Sequence, residues 1–288
     1  MASIRQIRGR LRSIQSTKQI MRAMQLVSAS KLKRAQGRLV QARSVLGFLD
    51  GLLERVLAST SGLDHPLCAA REWLPSTLVV FTSDAGLCGS YNTNLIQLAE
   101  SFLRRDAARK TEVIYIGKKG RRYFTKRGFS AAESYLDLAG RPNVAKAEQI
   151  GRALLERFTS KRTGSVQLLY SQFVSAMTYK PTVLQWLPIQ LKVSQVTSDK
   201  SHVSDYIFEP TPKRVFEDLL PRWTLATFQL VMLETFTSEH SARMIAMGSA
   251  TDNAEELLKS LTLLRNRIRQ ASITKEISEI VGTAEALK

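Results

Sequence analysis

Residues 4–56 read IRQIRGRLRSIQSTKQIMRAMQLVSASKLKRAQGRLVQARSVLGFLDGLLERV, and the spacing of apolar side chains along them decides the fold. Alternate steps of three and four from Ile4 land on Ile4, Ile7, Leu11, Ile14, Lys18, Met21, Gln25, Ser28, Leu32, Ala35, Leu39, Ala42, Leu46, Leu49, Leu53 and Val56; thirteen of these sixteen are apolar. A repeat near 3.5 residues, held over about eight heptads without a proline, predicts one long coiled-coil helix of roughly 80 Å. The polar seam positions Lys18, Gln25 and Ser28 cluster, and beside them Ile20, Met24 and Val27 form a second apolar stripe. The seam therefore drifts around the helix, or is shared between a partner helix and a surrounding surface.

The far end of the chain repeats the pattern. Met247, Ala250, Ala254, Leu257, Leu261, Leu264, Ile268 and Ala271 step by three and four, and Ile273, Ile277, Ile280 and Val281 follow. Pro212 marks a helix start, and Pro221 is expected to divide a short helix from a long one running from about 222 to 287, close to 100 Å by rise per residue. Small residues at Ala242, Ala246, Ser249, Ala250 and Ala254 predict a closely approaching partner helix.

Between the two arms the period shortens. Apolar runs at Leu78–Thr82, Val113–Ile116, Ser134–Leu138, Val166–Phe173 and Thr182–Leu187 predict strands, and stretches at 92–108, 118–127 and 143–161 predict helices between them. Strands alternating with helices imply a doubly wound, Rossmann-like α/β domain. A polar segment from Ser194 to Ser204 is expected to lead out as a loop. The expected organisation is an N-terminal coiled-coil helix (1–58), a linker (59–75), a central α/β domain (76–209) and a C-terminal coiled-coil helix (210–288). The fold class is thus α/β, carried on a long antiparallel coiled coil of the terminal helices, a plan that suggests mechanics more than chemistry.

Charge narrows the partners. The chain holds 42 Lys and Arg against 25 Asp and Glu, a formal net charge of +17, so its partners are expected to be anionic surfaces. Residues 1–49 contain no acid at all. No apolar run approaches the ~20 residues of a membrane-spanning helix, no short apolar core of a secretory signal follows the first basic residues, and the Arg-rich start runs on into the heptads, unlike a cleaved transit segment. A soluble protein that stays inside the cell is expected. Cys68 and Cys88 lie twenty apart without a CxxC or a histidine at ligand spacing, which favours buried thiols over a zinc site or a redox pair.

Several blocks resemble the ATP synthase γ family. They are Ile4 to Arg8 and Ala23 to Lys31 in the first arm; Thr82-Ser83-Asp84-Ala85-Gly86-Leu87-Cys88-Gly89-Ser90-Tyr91-Asn92 after the first strand; Asp205 to Pro210; and Ser238-Glu239-His240-Ser241-Ala242-Arg243-Met244-Ile245-Ala246-Met247, then Ala250 to Ala254 and Asn266 to Val281. They cover essentially the whole chain in the family's order. The resemblance implies the central-stalk rotor subunit of an F-type ATP synthase, standing as one copy inside three α and three β subunits and meeting the ε subunit and the membrane c-ring at its foot. It implies no active site, catalytic residue, cofactor or metal of its own, no nucleic-acid partner and no direct membrane insertion. Location as a peripheral protein at the cytoplasmic face of a bacterial cell membrane follows. Ala85 departs from the family, which usually carries a basic residue there.

The resemblance also assigns contacts. Arg269, Gln270 and Thr274 fall where the family's shaft meets a catch loop of a β subunit; the alternative is an exposed polar helix face. Arg8, Arg12, Lys31, Lys33 and Arg34 face acidic β-subunit levers, against a solvated charged face or a nucleic-acid contact. Met24 joins that lever contact, against plain core packing. Ile273, Ile277, Ile280 and Val281 form an apolar bearing, against an ordinary coiled-coil seam. Tyr206, Phe208 and Glu209 meet ε and the membrane ring as two exposed aromatics beside an acid, against a buried strand end.

Two rival classes find less support. Gly86 and Gly89 follow a strand, but the block fits neither G-x-G-x-x-G nor G-x-x-x-x-G-K-[ST]. His65, His202 and His240 are scattered and belong to no assembled catalytic signature. A basic coiled coil that binds nucleic acid is supported by charge alone, without a reading motif or regular aromatic interleaving.

Overall fold

In the computed structural model of the chain the described residues are 4–59, 64–105, 110–129, 131–138, 143–190 and 208–286. The elements are α1 (Ile4–Ser59), β1 (Ser76–Phe81), α2 (Tyr91–Arg105), β2 (Thr111–Ile116), α3 (Lys118–Thr125), β3 (Ala131–Tyr135), α4 (Val144–Thr159), β4 (Ser165–Phe173), β5 (Tyr179–Leu187) and α5 (Pro212–Ala286). The expected loop at Ser194–Ser204 and Tyr206 lie outside the described residues. The chain divides into two compact units, one of residues 1–29 with 243–288, the other of residues 30–242.

The second unit is built on a five-stranded sheet in the order β3-β2-β1-β4-β5. β1 pairs in parallel with both β2 and β4, β2 pairs in parallel with β3, and β5 closes the far edge antiparallel to β4. Each side chain of β1 is buried, as befits a central strand covered on both faces. Period-two alternation then sorts the strands into two cores. Leu78, Val80, Val113, Tyr115 and Leu169 pack with Tyr91, Leu95 and Ala99 of α2 and Phe124 of α3. Val79, Phe81, Ile114, Ile116 and Leu168 pack on the other face with Ala147, Ile150, Leu154 and Phe158 of α4. Leu53 and Val56 of α1, and Phe216, Leu220 and Phe228 of α5, join that second core, so the ends of both long helices serve as covering helices of the sheet. Gly151 permits this closeness, because a Cβ there would stand 2.9 Å from Leu225 Cδ2.

β3 begins three residues earlier than the apolar run Ser134–Leu138 implies. The chain leaves the sheet at Asp137, whose φ of 60° ends extended pairing and whose N–H is taken up by Asp84 Oδ1 at 3.4 Å. Leu138 is buried all the same.

Pro221 does not divide the C-terminal helix. α5 is continuous from Pro212 with Pro221 inside it. The ring removes one backbone hydrogen bond and crowds the carbonyl four residues earlier, at a cost of about 3 kcal/mol. Burial on both sides of the ring outweighs this: Phe216, Leu220, Thr224 and Phe228 are all fully buried. Trp186 Nε1 also donates to the Thr224 carbonyl at 3.0 Å, and the Thr224 hydroxyl donates to the Leu220 carbonyl at 2.7 Å.

Candidate functional site

Every described position of the predicted α1 seam, from Ile7 to Val56, is buried or half-buried, including Lys18, Gln25 and Ser28. The polar members have specific partners in the first unit. Lys18 Nζ donates to Glu255 Oε2 at 2.9 Å, and a Cβ on Gly248 would lie 3.1 Å from Gln25 Nε2. Lys18 to Gln25 is seven residues forward on α1, and Glu255 to Gly248 is seven back on α5, so the helices run antiparallel here. The Lys18 hydrogen bond and charge hold the Glu255 carboxyl below its ordinary pKa.

This register also fixes which face of α5 turns inward, and it differs from the predicted one. Two neighbouring heptad phases share Met247, Ala254, Leu261 and Ile268. The structure chooses the phase containing Thr251, Leu258, Arg265 and Ser272, while Leu257 and Leu264 are 48 % and 40 % exposed and Ala271 is exposed. The reason is steric: Gly248 offers α1 a surface without a side chain, and approach at Gly248 and Glu255 turns the residues between and beyond them inward. Thr251 is tolerated in the seam because its hydroxyl donates to the Met247 carbonyl. Of the small residues, Ala242 and Ala254 are buried, whereas Ser249 is exposed.

The same register bares the end of α5. Lys18 to Ile4 is fourteen residues, and fourteen beyond Glu255 is Arg269, so past Arg269 no described residue of α1 remains opposite. Arg269, Gln270 and Thr274 are exposed, with the Thr274 hydroxyl donating to the Gln270 carbonyl of its own helix. Ile273, Ile277, Ile280 and Val281 are 48 %, 56 %, 67 % and 56 % exposed on one face. Among the described residues they form no seam.

On α1 of the first unit, Arg8 and Arg12 are exposed and Met24 is half-buried; Ile20 and Val27, which flank it, are exposed. In the second unit Lys33 and Arg34 are exposed and Lys31 is half-buried. Glu209 is exposed, but Phe208 packs half-buried against the core of α1, α4 and α5, so the expectation of an exposed aromatic does not hold for it. Packing wins because the residue sits beside Pro212, where α5 begins to cover the sheet.

One buried polar stripe on α5 has no counterpart among the predicted sites. Glu234, Thr235, Thr237, Ser238, Glu239, His240 and Ser241 are all buried. The Ser238 hydroxyl donates to the Ser171 carbonyl at 3.0 Å, the Ser241 hydroxyl to the Ala176 carbonyl at 2.6 Å, and the Tyr91 hydroxyl to the Thr235 carbonyl at 3.2 Å. Arg43 donates to Glu234 Oε1 at 2.6 Å and to the Phe173 carbonyl at 2.8 Å. Burial and the neighbouring Glu234 push the Tyr170 hydroxyl well above its ordinary pKa. The sequence carries a signal for it: seven of the eight residues from Glu234 to Ser241 are polar or titratable, broken only by Phe236, on a helix that must cover a sheet.

These contacts lie beyond the carboxyl ends of β1 and β4, the neighbouring strands at which the strand order reverses and the place where open α/β sheets take ligands. The adjoining N-terminus of α3 is likewise occupied. Lys118 N–H is taken by Asp84 Oδ1, Lys119 N–H by the Ser83 carbonyl and Gly120 N–H by the Thr82 hydroxyl. The chain's own carboxylate thus sits where a phosphate would be held. Among the described residues no cluster of three or more His, Cys, Asp or Glu could hold a metal ion, and no helix is long and apolar enough to cross a membrane.

Comparison with known proteins agrees with this architecture. A family model described as ATP synthase matches residues 3–287. The chain is 42% identical over 284 residues to the ATP synthase gamma chain of Symbiobacterium thermophilum, covering 98% of this chain and 97% of that one. It is 40% identical over 292 residues to the ATP synthase gamma chain of Heliobacterium modesticaldum, covering both completely. Among solved structures, a chain of the Euglena gracilis mitochondrial ATP synthase, a cryo-EM assembly of OSCP, F1 and c-ring, superposes with a TM-score of 0.68 at 20% identity, covering 99% of this chain and 94% of that one. At that identity the likeness speaks to the fold.

Proposed function

The chain belongs to the ATP synthase γ-chain family, and from that premise we propose that it is the central-stalk rotor subunit of a bacterial F-type ATP synthase. It couples ion flow through a membrane ring to ATP synthesis or hydrolysis in a head of three α and three β subunits, and it has no active site of its own. The observation that carries this reading is the bare end of α5, where four large aliphatic side chains stand exposed on one face just past the last partner residue of α1. A stripe of that kind needs an enclosing apolar sleeve. Non-directional burial gives such a sleeve little angular preference, so the helix turns within it as a bearing.

Arg269, Gln270 and Thr274 then meet a β-subunit catch loop by exposed polar contacts, each worth only ~0–1 kcal/mol and readily exchanged as the shaft turns. Arg8, Arg12, Lys31, Lys33 and Arg34 meet acidic β levers through a field instead of a fixed lock, with Met24 as an uncharged contact among them. Residues 1–58 and 210–288 supply the shaft, and residues 76–209 the foot. Tyr206 and Glu209 meet ε and the c-ring, while Phe208 props that segment against the core. The protein is peripheral, at the cytoplasmic face of the membrane.

Reconstitution with α and β subunits of the same organism tests this. The expected result is a complex of three α, three β and one copy of this chain by native mass, with ATPase turnover above that of α and β alone. Absence of assembly together with tight, salt-sensitive binding to nucleic acid would overturn it.

A further inference from the structure

A helix can cover a sheet with an apolar stripe alone, and α5 begins that way with Phe216, Leu220 and Phe228. Farther along, the covering face turns polar and stays buried. Glu234, Ser238 and Ser241 are spaced four and three apart, which puts them on one face of α5. Each reaches a point outside its own helix. Glu234 accepts from Arg43 at 2.6 Å, and the Tyr170 hydroxyl of β4 donates to the same carboxylate. The Ser238 hydroxyl donates to the main chain of β4 at Ser171, and the Ser241 hydroxyl to the main chain of the β4–β5 turn at Ala176. Tyr91, the first residue of α2, donates its hydroxyl to the Thr235 carbonyl beside them.

Arg43 brings α1 into the same cluster. Its guanidinium donates both to Glu234 and to the Phe173 carbonyl at the end of β4, so one side chain ties α1, α5 and the sheet together. All of these residues belong to the second unit. Burying hydroxyls and a carboxylate carries a desolvation cost that an apolar stripe avoids. What the polar groups add is direction: a hydrogen bond weakens steeply as its angle is lost, whereas apolar contacts slide. Buried polar pairs set register in this way. The stripe therefore fixes α5 both in rotation about its own axis and in height against β4.

We propose that this stripe is a torque joint: Glu234, Ser238 and Ser241, tied to α1 by Arg43, are positioning residues that hold α1 and α5 against turning or sliding on the α/β domain. The proposal rests on the rotor reading and deepens it. α5 then uses opposite chemistry at two places along its length. Near its C-terminus the exposed aliphatic side chains permit rotation inside a sleeve, and at the joint directional bonds resist it. Torque passing between the two helices and the α/β domain crosses this stripe. Loosening it lets the domain swing through a wider angle under load while the chemistry in the head is unaffected.

The test uses single complexes of the full chain with α and β, the head fixed to a surface. A gold rod is attached through Arg105→Cys, at the exposed end of α2, in a Cys68→Ala background that serves as the parent. The angular spread of the rod is recorded during the pauses between steps. The double variant Ser238→Ala, Ser241→Ala is expected to broaden that spread and to leave ATPase turnover at the parent value. Glu234→Gln, which keeps the shape but not the charge, is expected to do the same. Amide exchange over residues 234–241 is expected to quicken about fivefold for each bond deleted. Val113→Ala is the control: it opens the core on the opposite face of the sheet, lowers the melting temperature, and is expected to keep the parent's spread because every bond of the stripe remains. If the double variant does not assemble, Glu234→Gln and Ser238→Ala alone decide. Variants with the parent's spread, or a Val113→Ala that broadens it equally, overturn the joint. Variants that assemble and turn over with an unchanged spread sink the joint alone; a parent chain that never joins α and β sinks the rotor reading.

Discussion

Gly117, between β2 and α3, has φ +100°, and a Cβ there would collide with the Thr82 carbonyl. No other residue type meets both demands, since this backbone region is almost confined to glycine. Gly117→Ala is expected to lower stability by roughly 3 kcal/mol or more, read as a fall in the denaturation midpoint; an unchanged midpoint would show that the β2–α3 turn relaxes freely. His65 makes a different prediction. Its Nδ1 accepts from the Leu67 N–H at 3.1 Å, and its ring stands edge-on to Phe216. Burial lowers its pKa below the ordinary 6.5, against the opposing charges of Glu217 and Asp64. The folded state therefore binds the proton less well than the unfolded one. The stability that neutral His65 gives is present above pH 6.5 and lost as pH falls through the lowered value. His65→Asn retains an acceptor two residues before Leu67 but does not titrate. Its melting temperature is expected to fall less than the parent's between about pH 7.5 and 5.5, and parallel curves would contradict the assignment.

At the scale of elements, α5 carries a proline against its own local preference. Because tertiary burial holds the helix continuous through Pro221, Pro221→Ala restores a donor and removes a clash, and is expected to stabilise the protein by about 1–3 kcal/mol. A lower melting temperature would mean that the ring packs as part of the core. The bare end of α5 predicts the opposite pattern. Ile277→Asp and Ile280→Asp change side chains that are more than half exposed, so the isolated chain is expected to melt within about 0.5 kcal/mol of the parent. The reconstituted complex is expected to lose much of its turnover or assembly. Destabilisation of the isolated chain would place these residues in a core and remove the bearing.

For the whole molecule, enclosure of a charged shaft predicts that assembly with α and β is salt-sensitive, since exposed cations lose their long-range attraction as the Debye length shortens from about 10 Å at 0.1 M to 3 Å at 1 M. Assembly rates followed by light scattering at rising ionic strength are the check, and a salt-independent rate would leave the basic arm without a steering role. Legible from the sequence was its periodic information: two long helical arms, the α1 seam at its described positions, and the five strands and three intervening helices to within a few residues, because heptad spacing and period-two alternation are local consequences of burying one stripe or one face. The family was legible from matching blocks of residues, which spacing alone does not supply. The phase of the α5 seam was not legible, since two neighbouring stripes share Met247, Ala254, Leu261 and Ile268 and only contact with Gln25 and Lys18 of α1 selects between them. Nor was the continuity of α5 through Pro221 or the buried run from Glu234 to Ser241, in which the hydroxyls of Thr235, Thr237, Ser238 and Ser241 donate to carbonyls of α5, β4 and the turn after β4, and Glu234 accepts from Arg43 of α1. Tertiary structure decided those because each depends on a partner distant in sequence: a local penalty or a polar side chain is tolerated only when something far along the chain offsets the cost of burying it.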